Sequence, residues 1–248
     1  MHPDLHFALG LADLADSLSL PRFRALDLRV DVKPDLTPVT EADQAVERAL
    51  RERVASARPG EGFLGEEFGA EGDPAVRWIV DPIDGTKNYS RGIPVFATLI
   101  ALEREGNVEV GVVSAPALAR RWWATRGAGA FRALGDRMRV SRVERVDDAV
   151  VSFTRTALQH GGATTLVARA WHARTFSDFW AHMLVAEGSV DIALDPVARV
   201  WDLAAVKLVV EEAGGRLTDV SGRPRADGGS GVSSNGLLHD EALSALAT

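Results

Sequence analysis

Two aspartates three residues apart are the feature of the sequence that points most directly to chemistry. They lie within residues 78–86, WIVDPIDGT, where an apolar, strand-like run leads straight into the carboxylates. The proline between them fixes φ and bends the chain, so Asp81 and Asp84 can converge on one point. Gly85 lets the backbone approach a ligand closely, and a helix that begins at Thr86 would offer N–H groups to an anion. The segment therefore predicts a hard cation beside a phosphate site, the alternative being an Asp-rich turn with a helix cap.

Three further acidic positions are ambiguous when each is taken alone. Glu66 follows an apolar pair within Gly65-Glu66-Glu67, and acidic pairs at strand ends are usually solvated. Asp202 precedes an apolar helical run, and Asp43 lies three residues after Thr40, so both are expected at helix caps. The combination of these positions with residues 78–86 is what favours a metal and phosphate site.

The composition is that of an ordinary globular protein. Of the 248 residues, 46% are hydrophobic and none is cysteine, which excludes disulfides, thiolate nucleophiles and cysteine-ligated metal sites. The formal net charge of −7 argues against a nucleic-acid partner. No apolar run is long enough for a membrane helix, and the N-terminal residues carry three aspartates without a basic segment. We therefore expect a cytoplasmic protein with neither membrane nor nucleic acid as partner.

The elements that must position these residues follow from apolar spacing. Residues 4–26 predict a helix in which Pro21 marks a candidate break, residues 31–39 predict an extended loop because they contain two prolines, and Thr40 begins a second helix. Short β-rich runs then predict a mostly antiparallel sheet, with a hairpin turn at Gly106-Asn107. These runs lie at 63–64, 78–80, 95–102, 108–113 and 122–125.

After Gly161 the pattern changes to alternating helices and strands. Helices are predicted at 162–171, 178–187, 201–213 and 237–246, and strands near 172–176, 190–194, 216–219 and 231–233. Helix, then sheet, then mixed α/β predicts stacked layers. We expect one integrated domain over 1–248, with an N-terminal half of about 1–140 and a C-terminal half of about 141–248.

Taken together, the motifs resemble those of the inositol monophosphatase superfamily. The matching segments, in the family's order, are TEAD at 40–43, GEE at 65–67, DPIDGT at 81–86, WD at 201–202 and EAGG at 212–215. Members are magnesium-dependent, lithium-sensitive phosphomonoesterases. The resemblance implies an α+β or α/β fold of the layered αβαβα sandwich type, with an antiparallel larger sheet in the N-terminal half and a mixed α/β C-terminal half.

The resemblance also implies a role for particular residues. The metal ligands it implies are the carboxylates of Glu66, Asp81, Asp84 and Asp202 and the backbone carbonyl of Ile83. The catalytic residues it implies are Asp43, Glu66 and Thr86, with Asp43 and Thr86 hydrogen-bonded to each other to orient the attacking water. The contacts it implies to the phosphate ester are Asp84, Gly85, Thr86 and Asp202, with phosphate held by the backbone N–H groups at 85–86.

The cofactor implied is Mg²⁺, two or three ions per active site, with Mn²⁺ as an alternative. Four carboxylates bring a charge of about −4 to one cleft and would repel a phosphate dianion, whereas divalent cations make the site attractive. An all-oxygen ligand set favours hard ions. A homodimer is expected from the family resemblance alone.

The alcohol half of the substrate is read, in this family, before the helix at 178 and before Trp201. The residues at those places are Arg174, Ser177, Asp178 and Asp195. Inositol phosphatases usually carry a Gly-Thr or Gly-Ser pair at 177–178 and a glutamate at 195, so Asp178 and Asp195 favour a cationic or imidazole-bearing alcohol. The other interpretation of Asp178 is that it caps the following helix.

The resemblance is strongest to the histidinol-phosphatase members, in the segments DLTPVTEAD, GVVSAPALARRWW, LVAEGSVDIALDP and NGLLHDE. The expected reaction is hydrolysis of L-histidinol phosphate in histidine biosynthesis. The alternatives are inositol 1-phosphate, fructose 1,6-bisphosphate, 3′-phosphoadenosine 5′-phosphate, or a catalytically silent phosphosugar-binding protein. The complete set of carboxylates argues against a silent protein.

Overall fold

Five layers, in which helices alternate with sheets, build the structure, a computed structural model that describes residues 2–159 and 161–247. The helices are α1 (Pro3–Arg22), α2 (Glu41–Ala57), α3 (Thr86–Ser90), α4 (Gly161–Arg169), α5 (Asp178–Ala186), α6 (Val200–Glu212) and α7 (His239–Leu246). The strands are β1 (Val30–Val32), β2 (Pro38–Thr40), β3 (Gly62–Gly65), β4 (Gly69–Glu71), β5 (Val76–Asp84), β6 (Ala97–Arg104), β7 (Asn107–Ala115), β8 (Arg120–Thr125), β9 (Gly129–Arg132), β10 (Asp136–Arg137), β11 (Val150–Phe153), β12 (His172–Arg174), β13 (Ile192–Asp195), β14 (Arg216–Thr218) and β15 (Gly231–Ser234).

The two main sheets differ in strand direction. The eight-stranded sheet has the order β10-β9-β8-β7-β6-β5-β3-β4 and is antiparallel except between β3 and β5. The five-stranded sheet has the order β12-β11-β13-β15-β14, with β11 parallel to both neighbours and β15 antiparallel to both of its own. The layered αβαβα sandwich implied by the resemblance is thereby confirmed, including the mixed sheet in the C-terminal half.

Both faces of the larger sheet are covered by helices. Successive residues of a strand point to opposite faces, so Trp78 and Val80 of β5 join the apolar cluster of α1 and α2, while Ile79 joins that of α5 and α6. A strand buried on both faces is apolar at consecutive positions. This explains the continuous apolar run before Asp81.

Helix α6 fills the layer between the two sheets. It is apolar on nearly every side, as expected for a helix without a solvent face, and Leu203 to Val206 are all buried. Its cluster contains Ile79 of the larger sheet and Leu217 of the smaller one. A core shared by the two halves of the chain supports one integrated domain, which stays a prediction.

Three local predictions differ from the structure. Helix α1 ends at Arg22, and Pro21 lies in its last turn rather than breaking it. The loop predicted at 31–39 is instead a short antiparallel hairpin of β1 and β2, in which Pro38 begins a strand, a position that needs no donated hydrogen bond. The turn between β6 and β7 is Glu105-Gly106, with φ of 49° and 77°, because a two-residue hairpin turn with both φ positive matches the strand twist.

Within residues 2–159 and 161–247, none of the helices combines the length and the apolar character needed to cross a membrane.

Two glycine substitutions should have opposite effects on stability. At Gly10, in the exposed interior of α1, an added Cβ meets nothing within 4 Å, so Gly10→Ala should raise the free energy of unfolding by about 1 kcal/mol. At Gly111, in β7, an added Cβ would lie 2.8 Å from the carbonyl oxygen of Ala205 in α6. Gly111→Ala should lower the free energy of unfolding by roughly 1–3 kcal/mol, because strand and helix must separate.

Urea unfolding of both variants beside the wild type measures these changes, provided that the m values agree. A Gly111→Ala protein as stable as the wild type would contradict the close packing of β7 on α6.

Candidate active site

Three aspartates from distant parts of the chain form one cluster. Asp81, Asp84 and Asp202 each place a carboxylate oxygen so that all three lie within 4.8 Å of one another. Asp81 and Asp84 end β5, where the pairing with β6 shifts register between them, and such an irregularity re-aims side chains at the end of a strand. Asp202 lies in the first turn of α6. The sequence-predicted pair and the predicted helix-start aspartate are thus brought together.

A backbone N–H fixes one oxygen of each carboxylate in this triad. Ile83 N–H donates to Asp81 at 3.0 Å, and Arg199 N–H donates to Asp202 at 2.7 Å. Phe179 N–H, in the first turn of α5, donates to Asp84 Oδ2 at 2.5 Å. This last bond joins the end of the larger sheet to the helix that begins the predicted alcohol-binding region.

The electrostatics of the triad call for a counter-charge. Burial raises the pKa of Asp81 well above its usual range, and the nearby Glu66 and Asp84 raise it further. Burial likewise raises the pKa of Asp84, with added repulsion from Asp178 and Asp202. Buried carboxylates of like charge are stable only when they are protonated or share a cation. An all-carboxylate cluster in this arrangement fits a hard divalent metal ion.

Gly85 and Thr86 shape the turn directly after the triad. Gly85 has a φ of 85°, which glycine adopts without strain, and an added Cβ there would lie 3.0 Å from the carbonyl oxygen of Val95. Helix α3 begins at Thr86, as predicted. The Thr86 hydroxyl is 3.1 Å from Asp43 Oδ1 and 2.9 Å from the carbonyl oxygen of Ile83, and can donate to either.

Asp43 accepts hydrogen bonds at both of its carboxylate oxygens. Its Oδ2 accepts the N–H of Thr40 at 2.8 Å and completes the capping box of α2, while its Oδ1 accepts from Thr86. The side chain is fully buried, and burial raises the pKa of Asp43 to about 6. The predicted Asp43–Thr86 hydrogen bond is therefore present in the structure.

Glu66 lines the same cleft but is held by a lysine that the sequence analysis missed. Lys33 Nζ, on the β1–β2 hairpin, lies 2.7 Å from an oxygen of Glu66 and 2.7 Å from an oxygen of Glu67. Glu66 is not part of the cluster that lies within 4.8 Å. Lys33 was missed because a single lysine in a proline-containing segment has no spacing that marks it.

The triad opens into a cleft of about 790 Å³ that both halves of the chain line. The predicted site residues found along it are Glu66, Asp81, Ile83, Asp84, Gly85, Thr86, Ser177, Asp178, Asp195 and Asp202. Cationic residues that the sequence analysis did not select also line it, namely Lys33, Lys87, Arg155 and Arg199. Arg174 is not brought to the cleft: it ends the edge strand β12, is exposed, and its guanidinium donates to the neighbouring Ala173 carbonyl.

Asp178 and Asp195 also line the cleft. Asp178 begins α5 with a φ of 55°, and its Oδ2 accepts from Ser177 Oγ at 3.0 Å and from Asn88 Nδ2 at 3.4 Å. Both partners are side chains, so the contacts observed for this carboxylate are not those of a helix cap. Asp195 ends β13, and burial raises its pKa to about 7.

Asp202→Asn should make the metal-free protein less sensitive to rising pH. Burial raises the pKa of Asp202 to about 7 in the folded state, against about 3.9 in an unfolded chain. The contribution of protonated Asp202 to the stability of the folded state is complete below pH 4 and is lost as the pH rises through 7. The measurement is the Tm of the variant minus the Tm of the wild type, with a chelator present. From pH 5 to pH 8 this difference should rise by at least about 2–4 °C, because a change of about 1 kcal/mol in the free energy of unfolding shifts the Tm of a chain of this size by that amount.

Two buried histidines act in the opposite direction but are present in both proteins. Burial lowers the pKa of His182 and of His239 to about 4, so each makes the folded state more stable as the pH rises, and the subtraction removes this effect. A Tm difference that stays constant from pH 5 to 8 would show that Asp202 is not a strained, buried acid.

Comparison with known proteins gives a consistent result. The model of the inositol monophosphatase family matches residues 2–247. The chain is 54% identical to a histidinol-phosphatase of Mycobacterium tuberculosis, over 99% of this chain and 98% of that protein, and 49% identical to a histidinol-phosphatase of Streptomyces coelicolor, over 98% and 96%. The solved structure of an IMPase from Thermotoga maritima superimposes with a TM-score of 0.89 at 32% identity, over 98% of this chain and 96% of that one. The chain belongs to the inositol monophosphatase family.

Proposed function

We propose that this protein is a metal-dependent phosphomonoesterase that hydrolyses L-histidinol phosphate to L-histidinol and phosphate, a step of histidine biosynthesis. The observation that carries the proposal is a cleft lined by a carboxylate triad, two members of which are buried, and by two further acidic side chains, Asp178 and Asp195. The two relatives named histidinol-phosphatase support the same substrate.

The metal we propose is Mg²⁺, two or three ions per site, with Mn²⁺ as an alternative. Hard oxygen donors converge at the triad, and oxygen ligands favour such ions. The proposed ligands are Glu66, Asp81, Asp84, Asp202 and the carbonyl oxygen of Ile83. When bound, the ions supply Lewis-acid chemistry, which attracts the phosphate and stabilises the charge that develops during displacement.

Asp43 and Thr86 are proposed to orient the attacking water. When the Thr86 hydroxyl donates its hydrogen to Asp43 Oδ1, the lone pairs of Thr86 Oγ are left to accept a hydrogen bond from water. Asp43, with a pKa of about 6, can hold a proton near neutral pH. Water attacks phosphorus in line and loses a proton, which the Thr86 hydroxyl relays to Asp43. The P–O bond to the alcohol breaks, the leaving oxygen takes a proton from solvent, and no covalent enzyme intermediate is needed.

The backbone at Gly85 and Thr86 is proposed to bind the phosphate group. The positive φ of Gly85 places the turn beside Asp84, and α3 begins with its N–H groups at this point. Oriented backbone N–H groups stabilise phosphoryl oxygens without a side chain.

Asp178 and Asp195 are proposed to select the alcohol. Histidinol carries an ammonium group and an imidazole. Burial and, to a lesser extent, the charge of Asp178 raise the pKa of Asp195, and a cation in the cleft would stabilise both carboxylates. Inositol 1-phosphate is the second candidate, because the related T. maritima protein is an IMPase. A neutral polyol offers these two carboxylates no opposite charge.

Ser177 is proposed as a further contact to the alcohol, because it lines the cleft. Arg174 is not proposed as a contact, because it lies outside the cleft.

We further propose that the protein is cytoplasmic, that it forms a homodimer and that it has neither nucleic-acid nor membrane partners. The net charge of −7 supports a small-molecule substrate over nucleic acid. The homodimer rests on the family resemblance and stays a prediction.

A substrate panel tests the proposal. With Mg²⁺ present, kcat/KM should be at least about tenfold higher for histidinol phosphate than for inositol 1-phosphate, fructose 1,6-bisphosphate or 3′-phosphoadenosine 5′-phosphate, equivalent to roughly 1.4 kcal/mol. EDTA should abolish turnover, and added Mg²⁺ should restore it. A preference for inositol 1-phosphate would make that ester the substrate, and binding without turnover of any ester would make the protein a phosphosugar-binding protein.

Asp178→Asn and Asp195→Asn should each lower kcat/KM for histidinol phosphate by about 30-fold or more. Removing one partner of a partly desolvated charge pair costs roughly 2–5 kcal/mol, at 1.36 kcal/mol per decade of rate. Asparagine also tolerates the left-handed backbone of position 178. The same variants should hydrolyse the neutral ester glycerol 2-phosphate almost as the wild type does, because the triad is unchanged.

The matched control is Asp35→Asn, which removes a negative charge from an exposed position of the cleft wall. It should leave the ratio of the two rates unchanged. Equal losses on the charged and the neutral ester in both cleft variants would contradict a cation-binding pocket.

A further inference from the structure

Helix α2 carries a second buried carboxylate one turn after Asp43. Residues four apart lie on the same helix face, so Glu47 lies below Asp43 on the side that meets β3 and β4. The Glu47 side chain is fully buried. None of the roles assigned so far uses it, although a buried carboxylate is costly unless it has partners.

The partners of Glu47 are backbone groups directly after Glu66. Its Oε2 accepts the N–H of Glu67 at 2.6 Å, and its Oε1 accepts the N–H of Phe68 at 3.0 Å. Arg51 Nη2, one further turn along α2, donates to Oε1 at 2.9 Å and balances the charge. Hydrogen bonds to ionised groups are among the strong ones, so this contact holds two consecutive peptide planes.

Gly65 shows how closely the carboxylate approaches the same segment. A Cβ at position 65 would lie 2.1 Å from Glu47 Oε1, a distance that side chains do not reach. Glu66 therefore lies between a glycine that packs on the Glu47 carboxylate and an N–H that donates to it. These two contacts fix the direction in which the Glu66 side chain leaves the backbone, toward Lys33 and the cleft.

We propose that Glu47 is a positioning residue for the metal site: its carboxylate clamps the Gly65–Phe68 backbone and so orients Glu66 toward the metal-binding cleft. The inference rests on the proposed function, in which Glu66 is a metal ligand. Asp43 and Glu47 then act from the same face of α2: Asp43 orients Thr86, and Glu47 orients Glu66. Residues that orient metal ligands in this way typically change metal affinity by 10- to 100-fold when they are altered.

Metal binding measured by calorimetry tests this role without a turnover assay. Glu47→Gln keeps the shape of the side chain but loses the charge and one of the two acceptors. Metal-stripped Glu47→Gln should bind Mn²⁺ about 10- to 100-fold more weakly than the wild type. The substitution lowers the affinity for the metal and leaves the residues that contact the phosphate ester unchanged. The kcat of Glu47→Gln should therefore recover toward the wild-type value at high metal concentration.

The matched control is Asp191→Asn. Asp191 is also a buried carboxylate that accepts a backbone N–H, from Val150 at 2.6 Å, but it lies away from the cleft. Both variants should lose thermal stability, and only Glu47→Gln should lose Mn²⁺ affinity. A folded Glu47→Gln protein with wild-type Mn²⁺ affinity, or an equal loss of affinity in Asp191→Asn, would overturn the proposal.

If Glu47→Gln does not fold, amide hydrogen exchange in the wild type tests the contact between Glu47 and the Glu67–Phe68 backbone. The N–H groups of Glu67 and Phe68 should exchange on the order of tenfold or more slowly than in an unstructured peptide, although both residues lie in a turn. Exchange at the unstructured rate would overturn the clamp. A wild type that binds Mn²⁺ but hydrolyses no histidinol phosphate would instead defeat the proposed function and leave the role of Glu47 standing.

Discussion

The mutual repulsion of buried carboxylates is the constraint on which this structure depends. Asp81, Asp84 and Asp202 each place a carboxylate oxygen within 4.8 Å of the others, and burial and like charge both raise the pKa values of the first two. A chain of marginal stability tolerates such a cluster only when other contacts hold it in place. Here backbone N–H groups and a shared apolar core do so, and the opposite charge is left to a ligand.

The layers of the fold convert this constraint into a site. Strand β5 is apolar on both faces and is held between helices until it reaches Asp81, while α6 delivers Asp202 from the layer between the sheets. Helix α2, on the opposite side of the larger sheet, contributes Asp43, which accepts from the Thr86 hydroxyl, and Glu47, which accepts from the backbone N–H groups of Glu67 and Phe68. The triad and the side chains that surround it therefore come from different layers, which makes their relative positions depend on the whole core.

Much of this arrangement could be predicted from the sequence, because it is encoded locally. The run before Asp81, the positive φ of Gly85 and the helix starting at Thr86 are all short-range features, and the family motifs joined them to Asp43, Glu66 and Asp202. Contacts between distant segments were not predictable in the same way. Lys33 and Glu47 are ordinary residues of a loop and a helix, and only the packing of the hairpins places them on Glu66 and on Gly65. Arg174 was selected for its place before α5, and that place along the chain does not say whether its side chain turns into the cleft; in the structure it is exposed and donates to the Ala173 carbonyl.

One hydrogen bond links the aspartate triad to the start of α5, where Ser177 and Asp178 line the cleft. Phe179 N–H donates to Asp84, and the residue before it, Asp178, adopts a left-handed backbone that costs an ordinary residue roughly 1–2 kcal/mol. The position of Asp178 in the cleft is thus fixed by a carboxylate of the triad, although its side chain contacts only Ser177 and Asn88. The link runs through the backbone and so does not depend on the side chains at 177, 178 and 195, although the charges of Asp178 and Asp195 add to burial in raising the pKa of Asp84. A change of charge at 178 or 195 therefore reaches the triad through space, whereas the hydrogen bond from Phe179 to Asp84 stays in place.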